Sequence, residues 1–150
     1  MQMKIELRQA TGADAQLVYD ITEAAMRGYV EKAFGPWVES FQREVIGNSF
    51  DPSTHHVIVV DGDAAGIIAA PLHDSHIQLE KLYLLPRFQR KGVGSKLLRE
   101  LQQSATARNR PVRLRVLAVN NEARRLYERL DFIVTHETPE RVFMEYRAQR

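Results

Sequence analysis

The chain contains no cysteine. That excludes a disulfide framework, a thiolate zinc site, an iron–sulfur cluster and a cysteine nucleophile. It fits a reducing compartment, and a cytoplasmic location is the expectation. Long apolar runs are missing too: no stretch approaches the roughly 18 residues of a membrane span. Residues 1–8 form a short alternating segment, unlike the longer apolar run of a signal peptide. The six prolines and eight glycines are scattered, with no Pro/Gly/Ser-rich linker, internal repeat or low-complexity tract. At 150 residues the chain reads as one domain over 1–150.

What is present suits a soluble fold. An apolar share of 44% can bury a core, and 27% charged residues is an ordinary surface supply. The net charge of +2 conceals a division. Residues 1–75 carry 5 Lys+Arg against 11 Asp+Glu; residues 76–150 carry 16 against 8. Such asymmetry suggests two partners, or one partner with two ends. For the basic half a nucleic acid, a membrane surface or a phosphorylated cofactor all qualify.

Met3 to Gln9 alternates as a strand, with Ile5 and Leu7 on one face. Thr11 can cap the helix that follows, with Asp14 three residues on. Leu17, Val18, Ile21, Ala24 and Ala25 then recur at helical spacing. A second helix is expected within Phe34–Ile46, stopped by Gly47-Asn48. Gly28 to Trp37, between them, reads as irregular. Val57–Val60, the turn Asp61-Gly62-Asp63 and Ala65–Ala70 predict a hairpin. Ile77, Leu79, Leu82, Leu84 and Leu85 mark one further strand, stopped by Pro86. Val93, Leu97, Leu98, Leu101 and Ala105 make a helical stripe. Val112–Leu117 is a buried strand, Asn120 caps a helix through Leu130, and Phe132–Thr135 and Val142–Tyr146 close the chain as strands. The order is that of a mixed α/β layer fold.

The most informative segment runs from Leu82 to Leu98. A strand ends at Pro86, crosses a basic loop, and enters a helix through Gly92 and Gly94. Glycines let a backbone approach a ligand closely, and free amides at a helix start bind phosphate oxygens. Lys81, Arg87, Arg90, Lys91, Lys96 and Arg99 surround this point, with no acid between Lys81 and Arg99. A Walker loop is excluded because Gly94-Ser95-Lys96 has the wrong order, and a Rossmann fingerprint because Leu97 stands where a third glycine is needed. A tight strand–helix turn with a solvated basic loop is the bland alternative.

Gln89-x-x-Gly92-x-Gly94 after such a strand resembles the acetyl-CoA motif of the GNAT family of N-acetyltransferases. Residues 114–132 resemble that family's second signature: a strand, an Asn, then a helix ending Leu126-Tyr127-Glu128-Arg129-Leu130-Asp131-Phe132. Asp131 replaces the usual glycine, a departure that Asp tolerates because it can adopt the left-handed conformation. The resemblance covers residues 55–146, and the element order of 1–54 agrees with it. It implies an α/β fold: a mixed, mostly antiparallel sheet with a splayed parallel strand pair and helices on both faces. The splayed pair would be the strand ending at Leu85 and Val112–Ala118.

The resemblance further implies an N-acetyltransferase that uses acetyl-CoA as co-substrate. Backbone groups of Leu82, Tyr83 and Leu84 would pair with the pantetheine arm, and amides near Gln89, Arg90, Lys91, Gly92, Val93, Gly94 and Ser95 would hold the pyrophosphate. Tyr127 matches the family's general acid, or is simply a core aromatic. Asn120 matches a cofactor-arm position, compatible with a plain helix cap. Glu80 stands where relatives place a catalytic base, with a surface ion pair as the rival reading; Arg115 occupies the other position that relatives use for a base. With no cysteine, the acetyl group is expected to pass directly from CoA to the acceptor.

The acceptor is expected to be a small-molecule or peptide amine. Family members build that site from the first two helices and their connection, which here carries Tyr29, Glu31, Trp37, Glu39 and Glu44. Aromatics beside acids suit a cation; Tyr29, Trp37 and Glu39 are the candidate contacts. The alternative is that the rings pack in the core and the glutamates are solvated. His55-His56 and His73-x-x-His76 form no metal shell, so no metal is expected. No nucleic-acid or membrane partner is expected either, and a homodimer stays open by analogy with relatives. A non-catalytic acyl-CoA sensor on the same fold is the rival function.

Overall fold

Local sequence signals explain most of the elements in the computed structural model, which describes residues 2–148. Strand β1 (Ile5–Gln9) leads into a 3₁₀ turn over Gly12–Asp14 and helix α1 (Ala15–Phe34). Thr11 is the N-cap here, as expected, and Asp14 completes a capping box with it: the Asp14 carboxylate accepts the Thr11 N–H at 2.9 Å. Helix α1 runs through Gly28 to Phe34, where the sequence reading had irregular chain. A lone glycine costs a helix only about 1 kcal/mol. The flanking pairs of Arg27 with Glu23 and Glu31, one turn to each side, support the helix there. Gly35, at φ 102°, is the real stop. Helix α2 (Glu39–Ser49) likewise passes through Gly47-Asn48.

Strands β2 (His55–Val60) and β3 (Asp63–Ala69) form the expected hairpin. Its two-residue turn has Asp61 and Gly62 both at positive φ, as a type I′ connection requires. The next strand is two strands: β4 (Ile77–Leu79) and β5 (Lys81–Leu84) are separated by Glu80 alone. They pair in different sheets, so a single continuous ladder cannot hold both. Helix α3 (Val93–Ala107), β6 (Val112–Leu117), α4 (Asn121–Arg129), β7 (Ile133–Glu137) and β8 (Arg141–Tyr146) complete the order.

Two four-stranded sheets result, β1-β2-β3-β5 and β4-β6-β8-β7. Every pairing is antiparallel except β4 with β6, whose parallel register ends at Leu79↔Leu114. The chain divides into two compact units: Met1–Ala69 with Lys81–Lys91, and Ala70–Glu80 with Gly92–Arg150. In the first, Val18, Tyr19, Ile21, Trp37, Ile46 and Ile67 form a buried cluster against which Tyr83 and Leu85 pack. In the second, the alternating Val112, Leu114 and Val116 of β6 and Val142 and Met144 of β8 are buried, and α3 packs on β6. Among the described residues no helix is long and apolar enough to cross a membrane.

Candidate functional site

The first unit holds β5 and the turn after it. The Leu85 N–H donates to the Ala65 carbonyl at 2.8 Å, and β5 pairs with β3 in the register Tyr83↔Ile67 and Leu84↔Gly66. In an antiparallel ladder, hydrogen-bonded pairs alternate. Leu85 and Tyr83 therefore spend their backbone groups on β3, while Leu82 and Leu84 turn theirs away from it. Of the three residues singled out on this strand, Tyr83 turns its backbone to β3, and its half-buried side chain packs against the buried cluster. Leu82 and Leu84 present the strand's outward backbone groups.

The turn consumes its own carbonyls. Phe88 N–H donates to Leu85 at 2.9 Å and Gln89 N–H to Pro86 at 3.1 Å. The Gln89 side chain donates Nε2–H to the Leu84 carbonyl at 2.9 Å. The Gln89 N–H and one side-chain N–H are thus engaged within the turn. Arg90 follows in the left-handed region at φ 61°. Two of the expected cations have their own neighbours: Lys81 donates to Ser49 Oγ at 2.9 Å, and Arg87 lies 3.9 Å from Asp63 and over the Phe88 ring. Lys91, Lys96 and Arg99 are exposed.

The acceptor candidates lie in the same unit. Trp37 is 8% exposed; its indole N–H donates to the Tyr19 hydroxyl at 3.1 Å, and its backbone N–H donates to Glu31. Glu39 is exposed and paired with Arg43 at 3.1 Å, one turn on. Tyr29 is half-buried on α1. A 150 Å³ cleft between α1 and α2 is lined by Tyr19, Arg43, Ile46 and Phe50 among others. It is lined by none of the candidate residues and is smaller than the roughly 300–1,000 Å³ of usual small-molecule sites.

The second unit holds the remaining candidates. Gly92 caps α3 in the left-handed conformation, φ 85° and ψ 1°. The Lys96 N–H to Gly92 carbonyl bond, 3.0 Å, opens the helical ladder. The amides of Gly92, Val93, Gly94 and Ser95 therefore precede that ladder. A left-handed residue followed by helical ones turns successive N–H groups into one concavity, an anion-binding nest, and the helix dipole adds positive potential there. No acid stands in the first turn.

Asn120 caps α4 by accepting the Ala123 N–H at 3.1 Å. Tyr127 on that helix is 9% exposed, its ring edge-on to Phe132 at 5.5 Å. Its carbonyl accepts from both Leu130 and Phe132, closing a turn in which Asp131 sits at φ 69°. The substitution of Asp for glycine is accommodated in the expected left-handed form. Glu80 is exposed at the break between β4 and β5, so the alternation that would align it with Leu82 and Leu84 does not run through it. Among the described residues no group of three or more His, Cys, Asp or Glu could hold a metal ion.

Shifted ionisations belong to other residues. Hydrogen bonds from Arg8 and from the Thr11 backbone hold Asp14 below the usual carboxylate range. Burial works to raise Glu145, but hydrogen bonds from Arg113 and Arg147 outweigh it and leave the carboxyl lowered. Burial and the nearby Arg113 lower His76.

Two features of the site escaped the sequence reading. The Gln89 side-chain bond needs the turn geometry to be seen. Gly66 was legible, because a glycine inside a strand signals close backbone approach. A Cβ there would fall on the Tyr83 carbonyl oxygen.

Comparison with known proteins adds the following. The model of the family described as "Acetyltransferase (GNAT) family" matches residues 18–132. Human N-acetylaspartate synthetase is 31% identical over 122 residues, 77% of this chain and 39% of that protein. An uncharacterized N-acetyltransferase of Archaeoglobus fulgidus is 34% identical over 83 residues, 50% of this chain and 56% of that one. The chain thus spans between two fifths and just over half of these curated relatives. The crystal structure of the PaiA N-acetyltransferase of Thermoplasma acidophilum, in complex with coenzyme A, superposes with a TM-score of 0.77 at 17% identity. It covers 97% of this chain and 99% of that one, a likeness of fold.

Proposed function

The chain belongs to the acetyltransferase (GNAT) family, and on that premise we propose that residues 1–150 act as one GNAT-like domain transferring acetyl from acetyl-CoA to a primary amine. The observation that carries this reading is the acid-free start of α3, where left-handed Gly92 gathers amides at the family's phosphate motif. These amides of Gly92, Val93, Gly94 and Ser95 take the pyrophosphate, with Arg90 and Lys91 supplying charge. The outward groups of Leu82 and the outward N–H of Leu84 hold the pantetheine arm, as an added strand would be held. Tyr83 and Gln89 serve from behind, one in the core and one in the turn. Asn120 contributes by fixing the start of the helix that carries Tyr127.

The chemistry is that of a direct displacement. A free amine nitrogen attacks the thioester carbonyl, and the oxyanion is stabilised by a fixed backbone donor. The C–S bond breaks as the C–N bond is kept, the CoA thiolate takes the Tyr127 hydroxyl proton, and the proton shed by the new amide nitrogen returns through water to restore the phenol. An amine of lysine-like pKa, about 10.4, is almost wholly protonated at neutral pH. Glu80, exposed to solvent, takes that proton directly or through water. The acceptor is received along the α1–α2 connection, where Tyr29 and Glu39 offer an aromatic face and a carboxylate. Trp37 anchors that connection to the core.

Mass spectrometry of a mixed panel of amines, amino acids and peptides incubated with acetyl-CoA tests the reading. Acetylated amine product is expected. Binding of acetyl-CoA without product from any acceptor would favour a sensor module instead.

A further inference from the structure

Three consecutive carbonyls, Leu84 at the end of β5 and then Leu85 and Pro86, are each met by a donor from the turn that follows. Two of these bonds are backbone bonds, Phe88 N–H to Leu85 and Gln89 N–H to Pro86. They follow from the turn itself. The third, Gln89 Nε2–H to the Leu84 carbonyl at 2.9 Å, depends on the side chain. Only the amide nitrogen can stand there, because the amide oxygen would set lone pairs against the Leu84 carbonyl.

The antiparallel register turns that same Leu84 carbonyl away from β3, onto the edge that leaves Leu82 and Leu84 facing outward. The bond therefore does two things. It bolts the turn Pro86–Phe88 and the chain leading to Arg90 and Lys91 onto the strand end. It also occupies the acceptor oxygen of Leu84 on the edge proposed for the pantetheine arm, which leaves the Leu84 N–H and the Leu82 groups to meet the donor.

We propose that Gln89 is a positioning residue for the acyl donor, acting through the Leu84 carbonyl and not by touching the donor itself. The proposal rests on the reading of this edge and turn as part of the acetyl-CoA site. The backbone N–H of Gln89 is engaged by Pro86 and one of its two side-chain N–H donors by Leu84, so its bonds run to the strand end and the turn.

The test compares wild type with Gln89→Met and Gln89→Leu, which keep bulk and lose the donor. CoA affinity is measured by calorimetry, steady-state kinetics with the best panel amine separate the two substrates, and amide hydrogen exchange is followed in ligand-free protein. The brace predicts faster exchange at Phe88 and Gln89 before any ligand is present. It also predicts a CoA Kd and an acetyl-CoA KM raised about five- to tenfold, the yield of one hydrogen bond, with the amine KM unchanged. Unchanged CoA affinity in both variants would overturn it. So would lost affinity with unaltered ligand-free exchange, which would make Gln89 a direct ligand contact. If wild type itself binds no CoA, the acetyl-CoA reading falls, and the exchange comparison alone decides whether the brace exists.

Discussion

Placing a methyl group on Gly66 tests the strand geometry behind the proposed donor site. The Cβ of alanine would fall on the Tyr83 carbonyl oxygen and come within 2.9 Å of Leu84 Cδ2 and 3.1 Å of Leu84 Cα. The leucine side chain can rotate away; the two backbone atoms cannot, unless β3 and β5 move apart. Overpacking of this kind costs about 1–3 kcal/mol. Weakening a ladder hydrogen bond adds about 1 kcal/mol. A loss of roughly 2–4 kcal/mol is a large part of the ~5–15 kcal/mol that holds a domain folded. With a urea slope near 2 kcal/mol per molar, the unfolding midpoint should fall by about 1–2 M. Gly47→Ala is the matched control: its Cβ meets nothing within 4 Å in helix α2, so stability should rise by about 0.5–1 kcal/mol. Urea denaturation followed by circular dichroism measures both. A Gly66→Ala midpoint within about 0.2 M of wild type would refute the close approach of β3 and β5.

Other expectations follow from single side chains. Tyr127→Phe should lower kcat by about 100-fold or more, the scale of acid–base assistance, with CoA affinity kept; wild-type turnover would make Tyr127 a core residue only. Glu80→Gln should slow turnover at neutral pH more than it weakens acetyl-CoA binding, and an unchanged pH–rate profile from 6 to 9 would remove Glu80 from the mechanism. Asp14 titrates below its ordinary value in the folded chain, so its contribution is complete above the unfolded carboxylate pKa of about 4 and disappears as pH falls through the folded value. Asp14→Asn should therefore cost up to about 1 kcal/mol at pH 7, with the two stability curves converging in acid; a gap that stays constant down to pH 2 would contradict the ion-pair account.

The parts of the fold legible in sequence were those set by local chemistry. Asp61-Gly62 specified its turn because both residues tolerate positive φ. Asp131 did the same at the end of α4. Helix α1 was underestimated because the aromatic-rich stretch from Gly28 to Trp37 was read as irregular, while the ion pairs that carry the helix past Gly28 need the helix to be visible. The division of the chain at Glu80 left only a trace: the apolar alternation changes phase between Ile77, Leu79 and Leu82, Leu84, and it takes the pairing partners to assign β4 and β5 to different sheets. The charge asymmetry also changes meaning. Counted by compact unit, the first holds 9 Lys+Arg and 10 Asp+Glu, the second 12 and 9. Lys81, Arg87, Arg90 and Lys91 follow β5 into the unit that holds α1 and α2, so the acidic and basic halves are an order along the chain and not a spatial separation. The proposed site was legible where motif and backbone coincide, at the helix start from Gly92 to Ser95. It was not legible where a side chain closes on a carbonyl five residues away, as Gln89 does on Leu84.

The most direct measurement is the stoichiometry of transfer. Purified protein is given acetyl-CoA and an amine, and free CoA thiol, acetylated amine and the intact mass of the protein are read together. Direct transfer predicts one thiol released per acetylated amine, with no release beyond background hydrolysis when the amine is omitted and no acetyl left on the protein. Thiol release independent of any amine, or an acetylated enzyme whose acetyl chases into product, would contradict it.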